Sequence, residues 1–66
     1  MKNTIKVERA IKDMTQQDLA KVIGVSRQTI NSMESGKYVP STVLALKISQ
    51  FFGKTVNDIF TLEEGD

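Results

Sequence analysis

The chain has 66 residues with no cysteine and no histidine, and its net charge at pH 7 is +1. This length allows one domain, and the missing residue types exclude disulfides and thiolate metal sites and remove the commonest general base. Because so short a chain buries only about 60% of the surface that its unfolded form exposes, we expect a marginal core that gains stability from a second copy.

The charges are unevenly distributed along the chain. Residues 1–54 carry all nine Lys and Arg against four acids, a net of +5, whereas residues 55–66 carry four acids and no base, a net of −4. This pattern favours one face for phosphates and another kept away from them. A normally solvated surface with an acidic tail is the alternative that charge alone leaves open.

No apolar run approaches the ~18 residues that a membrane span needs. The first residues also lack the apolar stretch of a signal peptide. We therefore expect a cytoplasmic protein with no membrane partner.

The first predicted helix covers roughly residues 5–13. Its apolar residues follow the spacing of one helical face, which we expect to be buried. That face consists of Val7, Ala10, Ile11 and Met14. Ile5 and Val7 also fit a short extended lead-in.

The second helix is predicted to begin at Thr15, where Asp18 completes a variant of the capping box. Its buried stripe is Leu19, Ala20 and Ile23. Gly24 supplies the left-handed residue that ends it.

The third helix is predicted to be capped by Ser26 and to end at Gly36. Ile30 and Met33 fall on one side of it, where they anchor the helix to the body. The opposite arc is polar and consists of Arg27, Gln28, Asn31, Ser32 and Ser35.

The fourth helix is predicted after the loop 36–40, with Ser41 as its cap and Gly53 at its end. Its apolar face is Leu44, Ala45, Ile48 and Phe52. Thr55 and Asp58 form another capping box, which opens a short fifth helix through residue 60. Residues 61–63 favour an extended segment.

Two helices joined by a tight glycine turn, the second with a polar outer arc, are the sequence form of a helix-turn-helix. Arg and Gln on that arc are the side chains that read guanine and adenine edges in the major groove of DNA. The pattern therefore predicts a small DNA-binding regulator whose partner is double-stranded DNA.

The residues that carry this pattern also match a known family in order and spacing. They are Thr15-Gln16-Gln17-Asp18-Leu19-Ala20, Gly24-Val25-Ser26-Arg27-Gln28-Thr29-Ile30, Glu34-Ser35-Gly36-Lys37-Tyr38 with Pro40-Ser41, Ala45-Leu46-Lys47-Ile48 and Val56-Asn57-Asp58-Ile59-Phe60. Over residues 5–60 the chain resembles the Cro/C1 (Xre-type) phage-repressor-like DNA-binding domains, and is most similar to their compact, stand-alone homodimeric regulators.

The resemblance implies an all-α, five-helix phage-repressor-like domain over residues 1–66, with its helix-turn-helix at 15–36 and a short extended C-terminal segment. The family often has a large apolar residue where Glu8 stands and Leu where Thr42 stands. Both departures bear on the buried face of the first helix and the register of the fourth.

The resemblance also implies roles for individual side chains. Arg27 and Gln28 match positions that read bases, with a merely solvated helix end as the alternative, while Asn31 and Ser32 match positions that touch either bases or backbone. The implied phosphate contacts are Gln16, Gln17, Ser26, Thr29, Lys37 and Tyr38. Arg9 and Glu34 match a structural ion pair that ties the first helix to the third.

The C-terminal apolar residues exceed what so small a core needs. They are Phe51, Phe52, Ile59, Phe60 and Leu62. We expect the segment 51–62 to form a two-fold dimer contact, with a purely internal core as the alternative. Such a dimer requires a roughly palindromic operator.

The leading function is a sequence-specific transcriptional regulator, and a repressor in particular, because a small domain without a sensor acts most simply by occupying a promoter. An antitoxin-like protein with autoregulatory DNA binding is the alternative, although only about six residues follow Phe60, where such proteins usually carry a toxin-binding segment. We do not expect an enzyme, since the serines have no histidine to activate them. Nor do we expect a cofactor, a metal or a small-molecule substrate.

Overall fold

Five helices follow one another along the chain, and two short strands pair residues from its two terminal segments. The computed structural model describes residues 1–66. Its elements are β1 (Lys2–Asn3), α1 (Ile5–Ile11), α2 (Gln16–Ile23), α3 (Arg27–Glu34), α4 (Thr42–Phe52), α5 (Val56–Ile59) and β2 (Phe60–Thr61). The strands are antiparallel, with Lys2 opposite Thr61 and Asn3 opposite Phe60. The predicted five-helix class is confirmed, and the extended C-terminal segment is β2.

The helix starts follow from local hydrogen bonds. Thr15 Oγ1 accepts a bond from the Asp18 N–H at 3.0 Å, and Asp18 Oδ2 accepts one from the Thr15 N–H at 3.0 Å. The same reciprocal box opens α5 at Thr55. Gly24 ends α2 with φ +87°, a left-handed conformation that an L side chain adopts only with strain. These caps confirm the helix boundaries predicted around the turn.

The core is a single apolar cluster to which every helix contributes. Its eleven buried members are Ile5, Leu19, Ala20, Ile23, Ile30, Met33, Leu44, Ile48, Phe52, Ile59 and Phe60. Helix α3 reaches this core only through Ile30 and Met33. Arg27, Gln28 and Asn31 on its outer side remain exposed.

Of the predicted buried face of α1, Met14 packs against the core, but the prediction is wrong for Val7, Ala10 and Ile11, which are exposed. Val7 is 57% exposed and Ile11 70% exposed, whereas Ile5 and Glu8 point into the protein. The prediction used only the spacing of apolar residues, and it therefore placed the charged residues of α1 on the solvent side. In the structure the helix instead turns two charged side chains, Glu8 and Arg9, toward partners on other elements.

Glu8 is buried because it is paired. Its Oε2 accepts a hydrogen bond from Lys54 Nζ at 2.7 Å, and only 9% of the Glu8 side chain is exposed. A buried carboxylate is stable only when it is neutralised in this way. The pair ties α1 to the connection between α4 and α5, at the position where the family often has an apolar residue.

Asn3 connects three elements with one amide. Its Nδ2 donates to the Met33 carbonyl at 2.8 Å, and its Oδ1 accepts from the Ile5 N–H at 3.2 Å. The Met33 carbonyl also accepts from the Gly36 N–H at 3.0 Å, so the amide adds a bond at the end of α3 and supplies a partner at the start of α1. The small sheet thereby holds both helices at one corner of the protein.

No helix reaches the length and hydrophobicity that crossing a lipid bilayer demands. No three His, Cys, Asp or Glu side chains stand close enough together to hold a metal ion.

Candidate nucleic-acid interface

Helix α3 presents a polar face to solvent on a rigid support. It packs against α2 across the short turn 24–26, with Ile30 and Met33 fully buried beneath it. Arg27, Gln28 and Asn31 are exposed on the opposite side. An α-helix fits the major groove of B-DNA, which is ~12 Å wide. The exposed polar side of α3 can therefore face the base edges there.

Gln16, at the start of α2, connects the exposed side chains of α3 to one another. Its Oε1 accepts from Arg27 Nη1 at 3.3 Å, and its Nε2 donates to Asn31 Oδ1 at 3.2 Å and to Glu34 Oε1 at 3.0 Å. Both ends of the amide are therefore engaged within the protein. Two of the side chains predicted to read DNA are held through this one residue.

Arg9 and Glu34 form a bidentate ion pair beneath this network. Arg9 Nε lies 2.6 Å from Glu34 Oε2, and Arg9 Nη2 lies 3.0 Å from Oε1. The exposed fractions of the two side chains are only 13% and 8%. Arg9 Nη1 also donates to the Met14 carbonyl at 2.8 Å, so the guanidinium joins α1, α3 and the start of the helix-turn-helix.

The titration of this pair follows from its surroundings. Burial raises the pKa of Glu34, but hydrogen bonds from Arg9 and Gln16 together with the positive charges of Arg9 and Lys6 outweigh burial, so the pKa lies below its ordinary value. The hydrogen bond to Glu34 raises the pKa of Arg9. Both groups therefore stay charged at neutral pH.

An open polar cavity of about 400 Å³ runs along one flank of α3. It is lined by Ser26, Gln28, Thr29, Ser32, Lys37 and Tyr38. The structure thus brings four predicted phosphate contacts together with two residues from the base-contacting set. Gln17 is exposed at the start of α2 and lies outside this cavity.

Backbone bonds hold the loop after α3 in place. The Ser32 carbonyl accepts from the N–H groups of Lys37 at 2.9 Å and Tyr38 at 3.3 Å. The hydroxyls of Ser26 and Thr29 lie 2.9 Å apart and bond to each other. Lys37 and Tyr38 therefore extend into solvent from an ordered loop.

The residues predicted for a dimer contact differ in how far they are exposed on the single chain. Phe52, Ile59 and Phe60 lie inside the core of the single chain. Phe51 is half-buried, with its ring edge against Phe52 at 5.1 Å between centroids. Only Leu62, which is 77% exposed, is fully available to a partner.

Sequence reasoning missed Lys6, which lies beside the predicted interface. Lys6 lines a small polar cavity together with Gln16 and Asn31. Its position three residues before Arg9 was the available signal, because residues so spaced share a helix face.

Comparisons with known proteins extend over nearly the whole chain. A family model described as helix-turn-helix matches residues 5–59. The chain is 54% identical, over all of both chains, to an uncharacterized HTH-type transcriptional regulator of Methanocaldococcus jannaschii. It is 47% identical, over 97% of both chains, to the uncharacterized HTH-type transcriptional regulator YgzD of Bacillus subtilis.

A solved structure shows the same fold. The chain superposes on the SOS-response transcriptional repressor LexA from Eubacterium rectale with a TM-score of 0.80 and 26% identity. The match covers 94% of this chain and 66% of that one. It extends well beyond the two helices of the motif and includes the elements that support them.

Proposed function

This chain belongs to the Cro/C1-type helix-turn-helix family of DNA-binding transcriptional regulators, and on that premise we propose that it represses transcription by binding a palindromic operator as a homodimer. The family is one of transcriptional regulators and is not an enzyme type. The observation that carries the proposal is the outer face of α3, where Arg27, Gln28 and Asn31 are exposed above a buried apolar anchor.

Base reading is assigned to the first turn of α3. Arg27 can donate two hydrogen bonds to guanine O6 and N7, and Gln28 can make the matching pair with adenine N6 and N7. Asn31 and Ser32 follow one turn later and contact either base edges or the backbone. Because these side chains project from a helix rather than a loop, their spacing along the groove is set by the backbone.

Phosphate contacts are assigned to the borders of this face. Lys37 and Tyr38 extend from the ordered loop on one flank, with the Ser26 and Thr29 hydroxyls nearby. Gln17 stands exposed at the start of α2, and Gln16 beside it can donate to a phosphate once an amide hydrogen leaves Asn31 or Glu34. Such contacts set the register of the protein on DNA and make binding weaken steeply with salt, because they release counterions.

Two copies are needed to read a palindrome. Helix α3 has 8 residues and the whole chain measures 31 Å along its longest axis. Half-sites that face the same side of the duplex lie ~34 Å apart, so one copy reaches only one of them. The exposed Leu62, next to β2, is the residue of segment 51–62 that we assign to the contact between copies.

Leu62→Glu is expected to convert a dimer into a monomer. The substitution places a charge where we propose an apolar contact, and since the side chain is 77% exposed the fold itself should keep its melting temperature. Sedimentation at micromolar concentration measures the result, with Val7→Glu, at another exposed apolar position, as the control. A wild-type monomer under these conditions would remove the dimer from the proposal.

The direct test is selection of bound sites from randomised duplex DNA. We expect a palindromic motif, and a reporter gene carrying that motif in its promoter should be expressed less when the protein is present. Increased expression would make the protein an activator. Without any motif the helix-turn-helix would serve protein interaction, and the toxin-binding alternative would be tested next.

A further inference from the structure

A second polar cavity, of about 240 Å³, lies between α1 and the flank of α3 that faces away from Lys37 and Tyr38. It is lined by Lys6, Arg9, Gln16, Asn31, Glu34 and Ser35, none of them hydrophobic. We infer that this cavity binds a backbone phosphate of DNA through the side chains of Lys6 and Asn31. The inference rests on the proposed function and adds a binding site on α1, outside the helix-turn-helix.

Most hydrogen-bond donors of the cavity are already used within the protein. Arg9 donates to Glu34 and to the Met14 carbonyl, and Gln16 donates to Asn31 and Glu34. The Ser35 hydroxyl donates to the Ser32 carbonyl at 3.1 Å. These groups build the walls of the cavity but have little left to offer a ligand.

Lys6 and Asn31 are the exceptions. Lys6 takes part in none of the ion pairs of the structure. Asn31 uses its Oδ1 to accept from Gln16, which turns its amide nitrogen, with two donor hydrogens, away from that bond. An ammonium and an amide nitrogen from two residues that line one cavity suit an anion with several acceptor oxygens, as a phosphate has.

The carboxylate of Glu34 does not oppose this assignment. Both of its oxygens accept hydrogen bonds from Arg9 or Gln16, and only 8% of the side chain is exposed. Lys6 and Arg9 together outweigh it, so the lining carries a net charge of +1. The cavity as a whole therefore attracts an anion despite the carboxylate in its wall.

The position of the cavity fits the two walls of the major groove. By helical spacing, Asn31 and Glu34 lie on one flank of α3, whereas Gln28 and Ser32 lie on the other. The first flank carries the Lys6 cavity and the second carries the loop with Lys37 and Tyr38. A helix inserted in the groove would thus have a phosphate contact on each side, one for each strand.

The test compares Lys6→Gln with Lys12→Gln. Both variants lose one positive charge near α1, but Lys12 lies over the Phe51 ring at 5.5 Å and lines neither cavity of α3. We expect Lys6→Gln to weaken binding to the selected operator about fivefold at 0.15 M salt. It should also reduce the slope of log K against log salt by about 0.9, while Lys12→Gln leaves that slope unchanged.

A second measurement locates the phosphate. Methylphosphonates that neutralise one phosphate at a time should weaken wild-type binding at a position where they no longer weaken the Lys6→Gln variant. Equal slopes for the two lysine variants, or strictly additive effects at every phosphate, would overturn the inference. The melting temperature of Lys6→Gln should match the wild type, because Lys6 is exposed, whereas Lys12→Gln should melt slightly lower because it loses the contact with Phe51.

Failure of the proposed function would look different. A wild-type protein that selects no motif would contradict sequence-specific regulation. The lysine comparison would still be decisive on a duplex of mixed sequence, since phosphate contacts also supply non-specific binding.

Discussion

Glu34→Ala is expected to lower the free energy of unfolding by about 3 kcal/mol, because it leaves the guanidinium of Arg9 without its partner in a largely buried site. Gln16 loses an acceptor for its amide at the same time. The total stability of a chain of this size is about 3–10 kcal/mol. The variant should therefore melt ~15 °C lower or be partly unfolded at room temperature.

Thermal melts followed by circular dichroism measure this effect. The control is Glu64→Ala, which removes the same charge from an exposed position in the acidic C-terminal segment and should leave the melting temperature unchanged. If Glu34→Ala melted like the wild type but no longer bound DNA, the pair would belong to the reading surface rather than to the framework.

Acid should weaken the same ion pair. The folded-state pKa of Glu34 lies below its ordinary value of 4.5, so its contribution to stability is complete above that pH and is lost as the pH falls through the lowered value. Asp18 and Asp58, whose pKa values are lowered by backbone and side-chain hydrogen bonds from Thr15 and Thr55, titrate in the same direction. Glu34→Ala should accordingly lose stability less steeply than the wild type as the pH falls below 4.5.

Arg27→Ala and Gln28→Ala are each expected to weaken operator binding by about 10- to 100-fold. Each substitution removes a side chain placed to make a bidentate contact with one base, which contributes ~1–3 kcal/mol of discrimination. Binding to a mixed-sequence duplex should change little. The fold should be unaffected, because both side chains are exposed and neither contributes to the core.

Site selection with each variant identifies the base that it reads. We expect the motif to lose information at one defined position per half-site, a different one for each variant. Gln50→Ala, an exposed substitution on α4, serves as the control and should preserve the whole motif. Equal loss of specific and non-specific affinity would instead assign Arg27 or Gln28 to phosphates.

Local patterns predicted most of the fold because its helices are set by local chemistry. Thr15 with Asp18 and Thr55 with Asp58 are complete within four residues, and so they can be read directly from the sequence. The face of α1 could not be read in this way. Its orientation depends on Lys54, which is 46 residues away from Glu8, and helical periodicity contains no information about such a partner.

In the candidate site, too, local features could be predicted from the sequence and long-range contacts could not. The residue types on α3 follow from the polar arc and the family resemblance, whereas the bonds that hold Arg27 and Asn31 to Gln16 depend on how α2 meets α3. The C-terminal aromatic residues mark a further limit. Hydrophobicity alone does not tell whether Phe60 supports its own chain or a neighbour, and the structure places it in its own core.

Both ends of the Gln16 amide are hydrogen-bonded within the protein. This affects how DNA sequence preference can change among relatives and how it can be re-engineered. Residue 16 bonds to Arg27 and Asn31 as well as to Glu34, all on α3, so the side chains at positions 27 and 31 cannot be chosen independently of it. Replacing the exposed residues of α3 with those of another regulator, while keeping Gln16, would leave the Gln16 amide without its hydrogen-bond partners at positions 27 and 31. Successful retargeting would require the three positions to be exchanged as a unit, and combinatorial libraries should randomise them together.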